Sequence, residues 1–162
     1  MTKSRFVAAM LAAAVVSAVA AVALAQAPPA NPPPPLRLGL GDLMTMLVQP
    51  RHTKLGLGGQ ARNWDYVAYE LHELEEAFER VERASPRYRT FSVTEMLGLT
   101  KEPMTALEAA IKTRDGARFD AAYQKLTESC NACHRGMDKA MVVIQFPKLS
   151  PFPDQNFTAQ KP

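Results

Sequence analysis

The amino-acid sequence predicts an all-α fold, arranged as an antiparallel four-helix bundle. Four segments repeat apolar residues at three- and four-residue spacings, which is the period of an amphipathic helix. No segment alternates apolar and polar residues over the length of a strand. Short turns join the four segments, and helices connected in this way bury their apolar stripes most simply against one another.

The first two predicted helices lie in the N-terminal half of the folded part. The first runs from Asp42 to about Gly58, and Pro50 is expected to kink or break it because proline has no backbone N–H. The second begins after Asn63, a residue type that caps helices, and ends before Pro86. Its apolar stripe consists of Trp64, Val67, Leu71, Leu74, Phe78 and Val81.

The other two predicted helices follow a short break. Ser92 and Glu95 have the spacing of a capping box, and the third helix is expected to restart at Pro103, which suits a first helical turn. The fourth helix follows Asp115 and runs from about 117 to 142. Its apolar side carries both cysteines of the chain, so any chemistry of the thiols belongs to this helix.

The N-terminus has the pattern of an export signal. Residues 1–25 contain Lys3 and Arg5, then a long run of apolar residues, and end in Ala-Leu-Ala, which predicts a secretory signal peptide cleaved after Ala25. The run is also long enough to span a bilayer as an uncleaved anchor, and this alternative stays open. Cleavage predicts a periplasmic protein without stable membrane insertion.

Two proline-rich segments flank the helical part. Residues 26–37 form a semi-rigid linker, and residues 38–143 have the length of a single helical domain. Residues 144–162 form a tail rich in proline and phenylalanine. The tail is either disordered or a strap along the surface, and its three phenylalanines favour the strap.

The charge balance excludes two classes of partner. Removing residues 1–25 takes away Lys3 and Arg5, so Lys+Arg falls from 19 to 17 against 16 Asp+Glu. The remaining chain is close to neutral. Neither nucleic acid nor an anionic membrane surface is therefore an expected partner.

The motif ESCNACHRG contains the residues that carry the chemistry. A disulfide between cysteines three residues apart would gain little loop entropy, and a thioredoxin-like dithiol needs a preceding strand. Zinc needs four ligands, and His52 and His72 lie far upstream. CxxCH is the attachment signature of covalent haem c: Cys130 and Cys133 would form thioethers with the porphyrin, and the imidazole of His134 would bind the iron as the proximal ligand.

A single CxxCH at the end of the last of four helices resembles the class II c-type cytochromes, the cytochrome c-prime group and its low-spin relatives. The resemblance covers about residues 42–141, and Cys130, Cys133 and His134 carry it. It implies one covalent haem c, and it allows a homodimer through the first two helices. Asp138 stands where that family commonly has a basic residue, so the chain could represent a separate subfamily.

The resemblance also implies that the first helix covers the distal side of the iron. Met44 shares the inward face of this helix with Val48 and Leu55, whereas Met46 points away, so Met44 is the favoured distal ligand. His52 lies about 80° from Met44 around the helix, and Pro50 could turn it inward as an alternative distal ligand. A distal side closed only by apolar side chains is the third option.

Two sets of acidic residues have an ordinary and a functional interpretation. Asp138 lies one helical turn after His134 and could accept a hydrogen bond from its imidazole, although an exposed surface acid is the favoured interpretation. The glutamate-rich face of the second helix, which includes His72, alternates with arginines and is expected to be solvated.

The sequence therefore predicts an exported monohaem c-type cytochrome that transfers single electrons between periplasmic redox proteins, and not an enzyme. A gas-binding haem protein for nitric oxide or carbon monoxide is the alternative. A haem peroxidase would need an acid-base residue on an open distal side, for which His52 is the one candidate.

Overall fold

The computed structural model describes residues 37–160. The predicted signal peptide and all but the last residue of the linker lie outside the described residues. From Leu38 onward the described residues form one compact unit. Within it, none of the helices combines the length and the apolar character that crossing a bilayer requires.

The described chain is mostly helical, and the prediction of four helices is confirmed. The first helix, 40–60, contains a π-helical turn, and the third, 93–112, contains a 3₁₀ turn. In chain order the helical pieces are Leu40–Leu43, Met44–Val48 (π), Gln49–Gln60, Trp64–Ala84, Val93–Leu97, Gly98–Thr100 (3₁₀), Lys101–Lys112 and Gly116–Gly136. The second helix is Trp64–Ala84 and the fourth is Gly116–Gly136.

Side-chain caps start the second, third and fourth helices where the sequence predicts. The Asn63 side chain accepts a hydrogen bond from the Tyr66 N–H, and the Ser92 hydroxyl accepts one from the Glu95 N–H. The Asp115 carboxylate accepts bonds from two N–H groups of the first turn of the fourth helix. Each cap satisfies backbone donors that have no partner within the helix.

A small hairpin between the second and third helices was not expected from the sequence. Strand β1, Arg87–Tyr88, pairs antiparallel with β2, Phe91–Ser92. Arg89 has a positive φ of 52°, which is the left-handed conformation that tight turns use. The prediction of no strands is therefore wrong here, because two-residue strands are too short to show an alternating pattern.

Of the kink or break expected at Pro50, the break does not occur, because the first helix continues to Gln60. The π-helical turn Met44–Val48 lies immediately before it, and the Gln49 N–H donates to the Met44 carbonyl five residues back. Proline has no N–H to donate and its ring crowds the carbonyl four residues earlier, so the wider π turn lets the helix continue. The same turn carries Met44.

The fourth helix ends at Gly136, six residues before its predicted end at 142. Asp138 has a left-handed φ of 58°, and the Lys139 N–H donates to the His134 carbonyl at 2.7 Å. This is the pattern of a Schellman ending, in which a left-handed residue closes the helix. The chain then turns back along the fourth helix.

The first and fourth helices cross at close range. The first helix otherwise packs mainly on the second, and the third on the fourth. A Cβ atom on Gly59 would overlap the buried ring of Phe119, and one on Gly56 would lie 2.5 Å from the hydroxyl oxygen of Tyr123. Since only glycine fits at both positions, the sequence of the first helix determines how near the fourth can lie.

The tail lies along the surface as a strap. Its backbone carbonyls at Pro147 and Phe157 accept hydrogen bonds from the side chains of Gln60 and Asn63, and Gln155 donates to the Tyr66 hydroxyl at 2.7 Å. Phe146 packs on Tyr123 and Phe157 on Tyr66, with ring centroids 4.7 and 5.6 Å apart. The aromatic residues of the tail thus account for its attachment.

Candidate functional site

One cavity brings together the predicted site residues. Its volume is about 500 Å³, within the range of small-molecule and cofactor sites. The wall consists of side chains from all four helices and from the segment that follows the fourth. The predicted residues that line it are Met44, His52, Cys130, Cys133 and His134.

The His134 ring has one engaged nitrogen and one free nitrogen. Its Nδ1 lies 2.7 Å from the backbone carbonyl oxygen of Val142, which can only accept, so Nδ1 carries the proton. In the neutral ring Nε2 then has no proton, and among residues 37–160 it makes no hydrogen bond. A histidine held in this way presents a lone pair that can bind a metal.

Both cysteines are free thiols. Burial, and after it the neighbouring Cys133, raises the pKa of Cys130 to about 12, and burial also raises the pKa of Cys133. The Cys133 sulfur lies 3.6 Å from the sulfur of Met137. Redox and nucleophilic cysteines need a lowered pKa, so this environment does not favour a dithiol redox site.

His52 lies in a buried hydrogen-bond network with the fourth helix. Its Nε2 is 3.0 Å from the Thr127 hydroxyl, which donates its single proton to the Tyr123 carbonyl. The Tyr123 hydroxyl donates to the His52 backbone carbonyl at 2.8 Å and lies 3.0 Å from Nδ1, so both ring nitrogens have a polar partner. Since Thr127 engages Nε2, His52 could bind iron through this nitrogen only after losing that bond.

Burial lowers the pKa of His52 to about 4, from 6.5. Between these values the unfolded chain binds a proton at His52 and the folded chain does not, so acidification favours unfolding. We expect the free energy of unfolding to fall by about 3 kcal/mol from this residue as the pH decreases from about 6.5 through about 4. Chemical denaturation at a series of pH values measures it.

Two variants isolate the contribution of His52. His52→Gln is expected to flatten the pH dependence over this interval, whatever its effect on overall stability. His72→Gln is the matched control, since the His72 side chain is 66% exposed and should leave the slope unchanged. A slope that is the same in wild type and His52→Gln would show that His52 titrates normally in the folded protein.

The methionines of the first helix lie as their helical positions predict. Met44 is half-buried and lines the cavity, whereas Met46 is 60% exposed. Apolar residues also line the cavity wall, among them Val48, Phe78 and Leu97. Met44 is therefore the residue of this helix with a thioether available to the cavity.

Asp138 does not contact His134 as the functional interpretation required. The helix has ended before it, its backbone is left-handed, and its side chain is exposed. The Val142 carbonyl holds the proton-bearing nitrogen of His134 instead. That acceptor was missed because a backbone carbonyl has no sequence signature, and its position depends on the turn after Gly136.

The glutamate-rich face of the second helix is mostly solvated. Arg80 pairs with Glu76, and Arg83 with Glu79, each one helical turn apart. Glu70 is the exception, since it is buried and bonded both to Arg51 and to the Tyr66 hydroxyl at 2.7 Å. This buried carboxylate joins the first and second helices away from the cavity, and its burial was not predicted from the sequence.

A site for a bare metal ion, or a likeness to known proteins, would also bear on function. Among residues 37–160, no cluster of three or more histidine, cysteine, aspartate or glutamate side chains is placed to hold a bare metal ion. Comparisons of the chain with protein-family models, with curated proteins and with solved structures found no match. What this protein does is therefore inferred from the cavity and its residues.

Proposed function

We propose that this protein is an exported monohaem c-type cytochrome that transfers single electrons. The observation that carries the proposal is the cavity where both thiols of CxxCH meet a histidine whose Nε2 is unprotonated. Thiols for covalent attachment and an imidazole for the iron are the groups that haem c requires. Apolar walls and a volume of about 500 Å³ suit a large planar cofactor.

We also propose that the four helices form an antiparallel bundle of the class II cytochrome kind. Short connections between consecutive helices, and the packing of the first on the second and the third on the fourth, support this arrangement. CxxCH lies in the last two turns of the fourth helix, as the resemblance implies. Bundles of this kind hold cofactors between facing helices.

Three residues of the cavity would hold the haem, each through a different atom. Cys130 and Cys133 would hold it through thioethers, and Nε2 of His134 would bind the iron. Bound haem would supply an iron that changes between the ferrous and ferric states one electron at a time. The apolar side chains of Val48 and Phe78 line the cavity and would exclude water from the bound haem, which would reduce solvent rearrangement around it.

The geometry supports Met44 better than His52 as the distal ligand. His52 is held by Thr127 through the nitrogen that would have to bind iron, whereas the thioether of Met44 is free of such a bond within residues 37–160. A thioether ligand raises the reduction potential of a haem iron, which suits an electron carrier.

A gas-binding haem protein is the second candidate function. The engagement of His52 by Thr127 favours it, because Met44 is then the one predicted residue left to close the distal side. If Met44 does not bind, the distal side would have only apolar walls, and a small neutral gas could bind there.

Export to the periplasm, exchange of electrons with redox proteins there, and pairing into a homodimer are further parts of the proposal. The proposed signal peptide and the near-neutral charge of the chain after cleavage support the first two. Neither nucleic acid nor a membrane surface is a proposed partner.

Purification of the full chain from a host that matures c-type cytochromes tests the function. We expect a red protein whose denatured mass exceeds that of its polypeptide by one haem, and whose reduced spectrum does not change when carbon monoxide is added. A colourless protein with the polypeptide mass would contradict haem binding. A high-spin spectrum that shifts with carbon monoxide would support the gas-binding function instead.

A pair of methionine variants then identifies the distal ligand. Met44→Ala is expected to open the iron to carbon monoxide and to convert the low-spin spectrum to a high-spin one. Met46→Ala is the matched control, because this exposed side chain should leave the spectrum unchanged. An unchanged spectrum in Met44→Ala would exclude Met44 as the ligand.

A further inference from the structure

A residue between the two cysteines of CxxCH forms hydrogen bonds with the segment that follows the fourth helix. Asn131 donates through Nδ2 to the Ile144 carbonyl at 2.8 Å, and its Oδ1 accepts from the Ile144 N–H at 2.7 Å. The side-chain amide thus pairs with both backbone polar groups of one residue. Only an amide side chain provides a donor and an acceptor in this arrangement.

The same segment supplies the acceptor for His134. Val142 lies two residues before Ile144, and its carbonyl oxygen is 2.7 Å from Nδ1 of His134. Asn131 and His134 are three residues apart in the fourth helix, so they project on the same side of it. One helical turn of the motif therefore holds the returning chain at two points.

The backbone of this segment has few other attachments near the motif. The helix ended at Gly136, and Met141, Val142 and Val143 are exposed. Val142, Val143 and Ile144 nevertheless line the cavity. The Val142 N–H donates to the Lys139 carbonyl at 2.9 Å, so this turn holds the chain before the Val142 carbonyl and the bonds to Asn131 hold the chain after it.

We propose that Asn131 is a positioning residue for His134, acting through the backbone of 142–144. By fixing Ile144 it keeps the Val142 carbonyl at Nδ1–H, and that bond keeps Nε2 unprotonated and makes it a stronger electron donor. The inference rests on the proposed function, where Nε2 binds the haem iron. A stronger donor favours the ferric state, so Asn131 lowers the reduction potential.

The test compares Asn131→Ala and Asn131→Asp with wild type in the haem-bearing full chain. Alanine removes both bonds, whereas aspartate keeps the acceptor for the Ile144 N–H and places a carboxylate against the Ile144 carbonyl. We expect the Ile144 amide and the His134 Nδ1–H to exchange with solvent about tenfold faster in Asn131→Ala. The reduction potential should rise in Asn131→Ala, and the exchange rates of Asn131→Asp should lie between those of the alanine variant and wild type.

Gln155→Ala is the matched control. Gln155 anchors the same tail to the Tyr66 hydroxyl, far from His134 in the chain, so its loss should leave the exchange of Nδ1–H and the potential unchanged. If Asn131→Ala accelerates exchange at Ile144 but leaves Nδ1–H and the potential at wild-type values, the positioning role is overturned. If the alanine variant does not fold, exchange of the Ile144 amide and of Nδ1–H in Asn131→Asp gives the same comparison.

Haem binding and the positioning role of Asn131 can be contradicted independently of each other. If the wild-type protein carries no haem, the proposed function fails, and the nitrogen chemical shifts of the His134 ring in that protein still report which nitrogen bears the proton. A shift of the proton from Nδ1 towards Nε2 in Asn131→Ala would then support the role of Asn131. An unchanged distribution of the proton would overturn it.

Discussion

Replacing Cys130 and Cys133 together with alanine is expected to abolish covalent haem attachment completely. Each thioether needs one sulfur, and the chain contains no other cysteine. Either single variant should keep one thioether at most and accumulate far less coloured protein. Mass spectrometry of the denatured protein measures the outcome, because a covalent haem remains on the polypeptide and a coordinated one is released.

Glu128→Ala is the control for these variants. Glu128 lies in the same helix, is exposed, and does not line the cavity, so its replacement should leave the haem mass unchanged. A double alanine variant that still carried the added mass would show that the group is attached elsewhere. A wild-type mass lower than the polypeptide by two hydrogens would indicate a disulfide and contradict the proposed function.

Gly59→Ala is expected to destabilise the fold by about 2 to 3 kcal/mol. The new methyl group would overlap the ring of Phe119, which is 1% exposed and packed on all sides. Overpacking of a core costs about 1 to 3 kcal/mol, and here the first and fourth helices would have to separate. Urea denaturation followed by circular dichroism measures the free energy of unfolding.

Gly98→Ala, the same substitution at an open position, is expected to have the opposite effect on the free energy of unfolding. Gly98 lies in a helical turn of the third helix, where an added Cβ would meet no atom within 4 Å. Alanine should therefore stabilise the protein by up to about 1 kcal/mol through its higher helix propensity. If both variants changed stability equally, the close crossing at Gly59 would not exist in solution.

The Gly59 variant also tests how the cavity is built. His52 lies two helical turns before Gly59, and its bond to Thr127 needs the same close approach of the first and fourth helices. A helix displaced by the new methyl group would lengthen that bond. The pH dependence assigned to His52 should then weaken in Gly59→Ala, which links the packing to the site.

Local signals predicted most of the helical architecture. Asn63, Ser92 and Asp115 start their helices through bonds to N–H groups two or three residues ahead, so neighbouring residues suffice to recognise them. The spacing of CxxCH likewise places two thiols and an imidazole within two helical turns. The π turn before Pro50 and the early end of the fourth helix were not predicted, since a π turn and a left-handed aspartate are weak sequence signals.

The sequence by itself determined the helices, their caps and the three motif residues, because each depends on interactions within a few positions of the chain. Only the tertiary structure decided the partners of His134 and His52. The Val142 carbonyl reaches His134 after a chain reversal, and Thr127 reaches His52 across a helix crossing that Gly56 and Gly59 permit. Such contacts join residues whose separation along the chain carries no periodic pattern, so they form only when the helices pack.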